Sequence, residues 1–573
     1  MSDIMYPVSF GNLMNHIMTE YKMYNRIYNV NKIHRTNHNQ RLSIFGKSIE
    51  NPVGPAAGPN TQLAQNIVAS YVAGARCIEL KTVQIMYGEE LGIPRPCIYS
   101  VDEAYNVEWS SEYSCDEAAD EYIKAWFALK LISKELGLGD PDGFLFIMSV
   151  GYNLAGIKSP MVDKFINTMR SASQSPVWDT CKQWCLDHVD EFEHIDADYI
   201  NSISDELCQA ITLSTMHGCP AEEIESICSY LISEKGLHLY LKCNPTLLGP
   251  KRIRELLDNA GFEYIDFEDH QFEVDLQFDK AVPMLERLIA LGEKHNKIFG
   301  VKLTNTFPVQ IHNNELPGEQ MYMSGKSLLP VTIGVAELLS AQFGERLPMS
   351  YSGGAVKQNI KAIFDCGIWP VTVCTILLQG EGYNTFKGLA DEVESTDYKA
   401  ALKVHKELIA ELAKDIAENK IFKKSDVMKK KREAMPSFPG TRSSDYHCRV
   451  VCGACVRVCP NRCNEVVTVN DAKLIVHVDQ SCNECGNCAC HCVEPCQPYK
   501  DRITFFHNAE ALADSTNDGF YIKGTSCGYR FKGEEAVCDI DALPEELKGV
   551  VHAFCKEHVY YVCLLYTSDA ADD

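Results

Sequence analysis

The sequence predicts an α/β chain: a (β/α)8 TIM-type barrel followed by a small cysteine-rich domain. Three observations predict it. From about residue 47 to 395 short apolar runs alternate with helical stretches, the pattern of parallel α/β architecture. Small and polar residues follow several of those runs directly, where a barrel carries its site. Near the C-terminal end stand two tight cysteine runs, Cys448-x3-Cys452-x2-Cys455-x3-Cys459-Pro460 and Cys482-x2-Cys485-x2-Cys488-x3-Cys492.

Residues 1–46 read as a polar, partly helical arm. Strand candidates follow at Pro52–Ala57, Cys77–Val83, Phe144–Val150, Ile211–Ser214, Leu239–Cys243, Tyr264–Phe267, Gly300–Thr304, Met349–Ser352 and Val371–Thr375. These are nine, so one, with Tyr264–Phe267 the first choice, must be peripheral to an eight-stranded barrel. A doubly wound open sheet is the fallback. Two insertions, roughly 101–140 and 156–205, look helical and polar. The barrel spans 47–395, and a helix and basic linker fill 396–446. The cysteine domain takes 447–505 and an appendix 506–563. Residues 564–573 fit nothing before them and read as a sequence artefact.

Thiolates at these cysteine spacings wrap [4Fe–4S] cubes, and the last cysteine of each run reaches across to the other cube. That puts Cys448, Cys452, Cys455 and Cys492 on one cluster and Cys482, Cys485, Cys488 and Cys459 on the other, in a ferredoxin-like domain. The first run is one residue wider than standard at Cys448–Cys452. Two structural zinc sites are the alternative, though zinc favours separated pairs of cysteines. Cys463, Cys490 and Cys496 are surplus and can replace an assigned ligand. Eleven of the 26 cysteines fall in 448–496, and the first residues, acidic and mixed, do not read as a signal peptide, so a reducing cytoplasm is expected rather than disulfides. A net charge of −24 makes nucleic acid an unfavourable partner, and no apolar run approaches the length of a membrane span.

The strand ends nominate the site. Asn51-Pro52-x-Gly54-Pro55-Ala56-Ala57-Gly58 ends the first strand in small residues that let a flat ligand approach backbone. Lys81-Thr82 leaves the second strand, and Gly151-Tyr152-Asn153 the third. Lys242-Cys243-Asn244 and Lys302-Leu303-Thr304-Asn305-Thr306 repeat lysine in the strand with Asn or Thr at its mouth. Asn offers both donor and acceptor to an amide-like ring edge; ordinary loop capping is the bland alternative. Gly353-Gly354 and Thr375 follow the last two strands, the usual phosphate position in a barrel. Cys219, in Thr215-Met216-His217-Gly218-Cys219-Pro220, is a candidate proton donor that His217 can tune.

Together Asn51–Gly58, Lys81-Thr82, Gly151-Tyr152-Asn153, Cys219-Pro220, Asn305-Thr306, Ser324-Gly325 and Gly353-Gly354 resemble the FMN barrel of dihydroorotate and dihydropyrimidine dehydrogenases. The longer strings VGPAAGPNTQLAQNIV, MSVGYNLAGI and TLSTMHGCP resemble selenate reductase iron–sulfur subunits. The resemblance implies FMN at the barrel mouth. It implies Ala57, Gly58, Lys81, Thr82, Lys242, Lys302, Ser324 and Gly325 around the flavin, and Gly353, Gly354 and Thr375 at its phosphate. Asn153, Asn244, Asn305 and Thr306 would grip a nitrogen heterocycle, and Cys219 or His217 would supply a proton. Dihydropyrimidine dehydrogenases place their cysteine directly after Asn-Leu-Ser, whereas four residues separate Ser214 from Cys219 here. Longer relatives carry an FAD- and NAD(P)H-binding module between barrel and clusters, and no G-x-G-x-x-G follows a strand in this sequence. The expectation is therefore an FMN-dependent iron–sulfur oxidoreductase fed by a partner flavoprotein or ferredoxin and acting on a purine- or pyrimidine-like ring. The rivals are a component of a selenate-reducing system and a non-catalytic electron-transfer subunit.

Overall fold

The computed structural model describes residues 4–101, 103–107, 109–215, 217–421 and 447–562. The basic linker, 422–446, and the expected artefact, 564–573, lie outside the described residues.

Eight parallel strands form the barrel: β1 (Val53–Pro55), β2 (Cys77–Glu79), β3 (Leu145–Val150), β4 (Ala210–Leu213), β5 (His238–Cys243), β6 (Phe299–Leu303), β7 (Met349–Tyr351) and β8 (Val371–Val373). Their hydrogen-bonded order is β1-β8-β7-β6-β5-β4-β3-β2. The ring closes where β1 meets β2. There the Arg76 amide donates to the Val53 carbonyl at 2.8 Å, and a Cβ on Gly54 would stand 1.5 Å from the Cys77 carbonyl oxygen. Only glycine allows that approach. The eight strands are mostly apolar and buried, as a helix-wrapped parallel sheet requires, with Glu79, Lys242 and Lys302 the charged residues at the ends that lead to the cavity.

Eight of the nine strand candidates are these strands. Tyr264–Phe267 is the ninth and is not a strand. It is an apolar loop whose Tyr264 hydroxyl bonds the Glu103 carboxylate and whose Phe267 ring packs 5.1 Å from Phe307. The 101–140 segment is also not a polar insertion. Its helix Cys115–Glu135 is the covering helix between β2 and β3 and is buried along most of its length. Its charged residues are matched by backbone: Glu121 accepts from the Ala64 amide at 2.7 Å, and Lys124 and Lys130 donate to the Val8 and Pro141 carbonyls at 2.6 and 2.7 Å. The apolar stretch Gly325–Arg346 is long enough to cross a membrane by length and composition, against the sequence expectation. It is 72% buried inside the fold and contains the covering helix Leu329–Phe343.

A four-stranded antiparallel sheet closes over the barrel mouth. It joins Ile98–Tyr99 and Ala104–Asn106, from the loop after β2, to Phe307–Gln310 and Gln320–Ser324, from the loop after β6. The C-terminal part is one six-stranded sheet, β9 (Asn464–Val469), β10 (Ala472–Val478), β11 (Ile503–Phe505), β12 (Gly519–Lys523), β13 (Ser526–Phe531) and β14 (Glu534–Asp539), in that order. The division expected at 505 falls inside this sheet, because β11 pairs with both β10 and β12. Helix Glu545–Glu557 packs Leu547, Val551 and Phe554 against it.

Candidate active site

A cavity of about 540 Å³ opens at the C-terminal ends of the barrel strands, beneath the four-stranded sheet. Ala57, Gly58, Lys81, Thr82, His217, Lys242, Thr306, Ser324, Gly325, Gly353, Gly354 and Thr375 all line it. These are twelve of the positions nominated from sequence.

The loops after β6, β7 and β8 meet at one end. A Cβ on Gly354, at φ +79°, would lie 2.7 Å from the Gly325 carbonyl oxygen, and one on Gly325, at φ +73°, 2.7 Å from the Thr375 side chain. Thr375 donates to Ser324 Oγ at 3.0 Å. Glycine is needed twice here, for its left-handed backbone and its missing side chain, and the result is a shallow cradle of backbone and hydroxyls. A Cβ on Gly58 would sit 2.7 Å from Cys374 Sγ, so the opposite wall is also held open by a missing side chain.

The cavity is basic inside a strongly acidic chain. Lys81, Lys242 and Lys326 line it. Lys81 Nζ donates to the Trp109 carbonyl at 2.8 Å and stands 4.5 Å from the Trp109 ring centre. Burial pulls its ammonium down to about 8. Lys302 lies beneath the cavity, side by side with Lys242 in the β5–β6 register. Its ammonium pairs with the buried Glu79 carboxylate and donates to Thr372 Oγ1 at 2.9 Å. Glu79 in turn accepts from the Ala57 amide at 3.2 Å, tying the floor to the first loop. Burial lowers Lys302 and raises the Cys374 thiol, the latter to about 11 against the opposing pull of the three lysines.

The nominated asparagines lie elsewhere. Asn153 caps the short helix Leu154–Ile157, its Oδ1 accepting from the Gly156 amide at 2.9 Å. Asn305 Nδ2 donates to Asn244 Oδ1 at 2.6 Å, and Asn244 Nδ2 donates to Asp275 at 3.2 Å. These two hold loops together beside the cavity rather than lining it. Cys219 lines a separate small cavity with Thr215, Lys242, Asn244 and Asp275, and burial pushes its thiol up to about 11. His217 lines the large cavity, and its Nδ1 lies 3.0 Å from Asp275 Oδ2.

Sequence reasoning missed Asp275, Cys374, Trp109 and Tyr322. Asp275 sits in an acidic, apolar stretch with nothing local to single it out. Cys374 directly precedes the nominated Thr375. Tyr322 belongs to the covering sheet and Trp109 to the loop just after its strand Ala104–Asn106, and the sheet's strands come from two loops far apart in sequence.

The two cysteine runs fold into two small cavities. One is lined by Cys459, Cys463, Cys482, Cys485 and Cys488, the other by Cys448, Cys452, Cys455 and Cys492. Each run therefore gives its last cysteine to the other set, the crossing that the spacing predicts. Each set offers four thiols, a donor set suited to a thiolate-bound cluster; Cys459, Cys482, Cys485 and Cys488 are all buried, whereas in the other set only Cys455 is and Cys452 is exposed. The Cys463 amide donates to Cys459 Sγ at 3.3 Å and its thiol to the Asn461 carbonyl at 3.5 Å, and Cys463 lines the same small cavity as the cysteines it adjoins.

The first cysteine set abuts the barrel cavity. The Cys485 carbonyl accepts from the Cys97 and Ile98 amides at 3.0 and 2.9 Å. Cys485, Cys97, Ile98, Trp109 and Leu378 form one buried cluster with Cys374 packed on it, and Ile98, Trp109, Leu378 and Cys374 line the cavity. Buried polar bonds fix the contact: Asn487 Nδ2 donates to the Leu378 carbonyl at 3.0 Å, Gln65 Nε2 to Ser481 Oγ at 3.0 Å, and Tyr383 to the Pro460 carbonyl at 2.8 Å.

Residues 28–424 match the family described as oxidoreductase YgfK, N-terminal TIM-barrel domain. The YgfK proteins of Escherichia coli K12 and of Escherichia coli O157:H7 are each 44% identical over 429 residues, covering 72% of this chain and 41% of the relative. The chain thus spans about two fifths of the length of these curated relatives. A crystal structure of DHODH from Eimeria tenella in complex with ferulenol shares 13% identity, covering 69% of this chain and 94% of that one, with a TM-score of 0.41.

Proposed function

Because the chain belongs to the oxidoreductase YgfK family through its N-terminal TIM barrel, we propose that it is an iron–sulfur flavoprotein in which one-electron carriers drive two-electron chemistry at the barrel mouth. The single observation that carries this reading is the packing of Cys485 against Ile98, Trp109 and Leu378, which are themselves walls of the large cavity.

In this reading the cavity holds FMN. The cradle of Gly325, Gly353, Gly354 and Thr375 suits its phosphate, since these loops leave backbone and hydroxyls at the ends of the last barrel strands. Lys81 and Lys242 face the ring or the ribityl chain, and Lys302 with Glu79 fixes the floor. FMN supplies the exchange between single electrons and hydride. The Cys448, Cys452, Cys455, Cys492 set and the Cys459, Cys482, Cys485, Cys488 set each bind one [4Fe–4S] cluster, and a partner flavoprotein or ferredoxin in a reducing cytoplasm delivers the electrons. The substrate is a conjugated nitrogen heterocycle of purine or pyrimidine type, with Thr306 and the aromatic Trp109, Tyr152 and Tyr322 within the same cavity. The relatives' descriptions stop at oxidoreductase, and a role in a selenate-reducing system rests on resemblance alone.

Anoxic protein reduced chemically and then mixed with heterocycles tests the reading. Reoxidation of a flavin band by one of them supports it. A colourless barrel whose only chromophore is the clusters contradicts it.

The lysines set a pH dependence. Lys81 is charged below about pH 8 and neutral above it. Affinity of the flavin-free protein for FMN should therefore fall as pH rises from 7 to 9, by up to about tenfold for loss of one cation within reach of the dianionic ligand. Lys81→Met should weaken binding at pH 7 and flatten the dependence. Titration calorimetry at three pH values reads this out, and a flat wild-type profile would remove Lys81 from the flavin site.

A further inference from the structure

We propose that His217 gives the substrate ring its proton and that Asp275 is the residue that positions His217 to do so. This rests on the reduction proposed above. His217 lies in the loop after β4 and lines the large cavity, while Asp275, 58 positions along the chain, precedes the helix Phe278–Lys294. Asp275 is 3% exposed, and four donors converge on it. The Gly218 amide reaches Oδ1 at 2.8 Å, and Thr246 Oγ1, Asn244 Nδ2 and His217 Nδ1 reach Oδ2 at 2.8, 3.2 and 3.0 Å. Burial alone would raise this carboxyl, yet the His217 contact and the other hydrogen bonds hold it below the usual carboxylate range.

An ionised carboxylate only accepts. Nδ1 of His217 is therefore the donor, and Nε2 is the other nitrogen of a ring that lines the cavity. This is the arrangement in which a buried carboxylate fixes a histidine tautomer and stabilises its protonated form. Thr246 and Asn244 keep the carboxylate in place, which gives the Asn244–Asn305 pair a purpose other than substrate contact. Cys219, two positions beyond His217, is turned into the smaller cavity. Among the described residues, the other titratable groups lining the cavity are Lys81, Lys242, Lys326, Tyr105, Tyr152, Cys374 and Tyr322, and the Tyr322 ring on the covering sheet lies 6.1 Å from the imidazole.

Reducing one C=C or C=N bond of a heterocycle consumes two electrons and two protons. Reduced FMN, held by the cavity, would supply both electrons and one proton as hydride. The other proton leaves His217 Nε2 as its new bond to the ring forms. The imidazolium becomes neutral imidazole and takes a proton back from solvent.

The test uses holoprotein and four variants, His217→Gln, Asp275→Asn, Asp275→Glu and Cys219→Ser, with flavin content and melting temperature measured on each preparation. In 15N-histidine NMR, His217→Gln identifies the resonance. The wild-type imidazole should carry its neutral-form proton on Nδ1, and Asp275→Asn should shift the tautomer and lower the pH of protonation. With hypoxanthine and uracil as oxidants of the chemically reduced protein, His217→Gln should slow reoxidation about 10²-fold or more with flavin retained. Asp275→Asn should slow it about tenfold and move the alkaline limb of the rate profile, where His217 loses its proton, to lower pH. Asp275→Glu should recover part of the rate, and Cys219→Ser should stay within about threefold of wild type. An unchanged imidazole titration in Asp275→Asn, or a rate loss in Cys219→Ser rather than His217→Gln, overturns the proposal. If neither heterocycle reoxidises wild-type flavin, the functional reading fails on its own, and the NMR comparison still decides the pair.

Discussion

Cys485→Ser should cost the protein about half its iron, roughly four of about eight atoms per chain, while flavin stays bound. Cys485 belongs to the set formed by Cys459, Cys482 and Cys488, and its removal leaves the Cys448, Cys452, Cys455 and Cys492 set untouched. The larger effect is on coupling. Cys485 is the cysteine whose backbone holds the Cys97 and Ile98 amides and whose side chain packs in the cluster with Trp109 and Leu378. If electrons reach the cavity through this wall, a one-electron donor should reduce flavin in wild-type protein and leave it oxidised in the variant. Iron analysis and anoxic stopped-flow spectra on the same preparation check both statements. Cys452→Ser is the companion, since Cys452 lies at the exposed edge of the other set. It should also lose about half the iron. Full iron in Cys485→Ser would exclude the ligand assignment.

Gly354→Ala should lower flavin affinity by about tenfold to a hundredfold. The added Cβ meets backbone, the Gly325 carbonyl oxygen at 2.7 Å, which has no rotamer to retreat into. Overpacking at such a contact costs about 1–3 kcal/mol, and each 1.4 kcal/mol expressed in the bound state is about tenfold in affinity. The left-handed backbone adds strain of its own. Gly236→Ala separates the two contributions. Gly236 has φ +62° but open space around it and stands outside the cavity. Its alanine should lower the melting temperature by a few degrees without touching flavin occupancy. Equal flavin loss in both variants would mean that the cradle binds nothing.

Much of the fold was legible because a barrel strand is a short apolar run ending in turn and functional residues. The eight correct strands share that property. Tyr264–Phe267 shares it too, because a loop that covers a core is as apolar as a strand, and only pairing tells them apart. The helix Cys115–Glu135 was read as polar because Glu121, Lys124 and Lys130 look solvated in sequence. In the fold each meets a backbone group at the barrel's edge. The division between cysteine domain and appendix was hidden because β11 is three residues long and completes its sheet from both sides.

At the site, the places of the glycines and lysines were readable because they lie at strand ends. The places of the asparagines were not, since that residue type serves in caps and loop contacts as readily as in cavity walls: Asn153 caps a short helix and Asn305 bonds Asn244. Asp275 was out of reach for a different reason. Its importance comes from His217, Gly218, Asn244 and Thr246 converging on it from two other loops, which no local pattern records.

The central claim is that one chain joins two iron–sulfur clusters to a flavin-binding barrel. Iron, acid-labile sulfide and FMN quantified together on anoxically purified protein test it most directly. The expected result is about eight iron and eight sulfide per chain, with one FMN released on denaturation. Two zinc atoms with no sulfide, or full iron with no flavin, would contradict it.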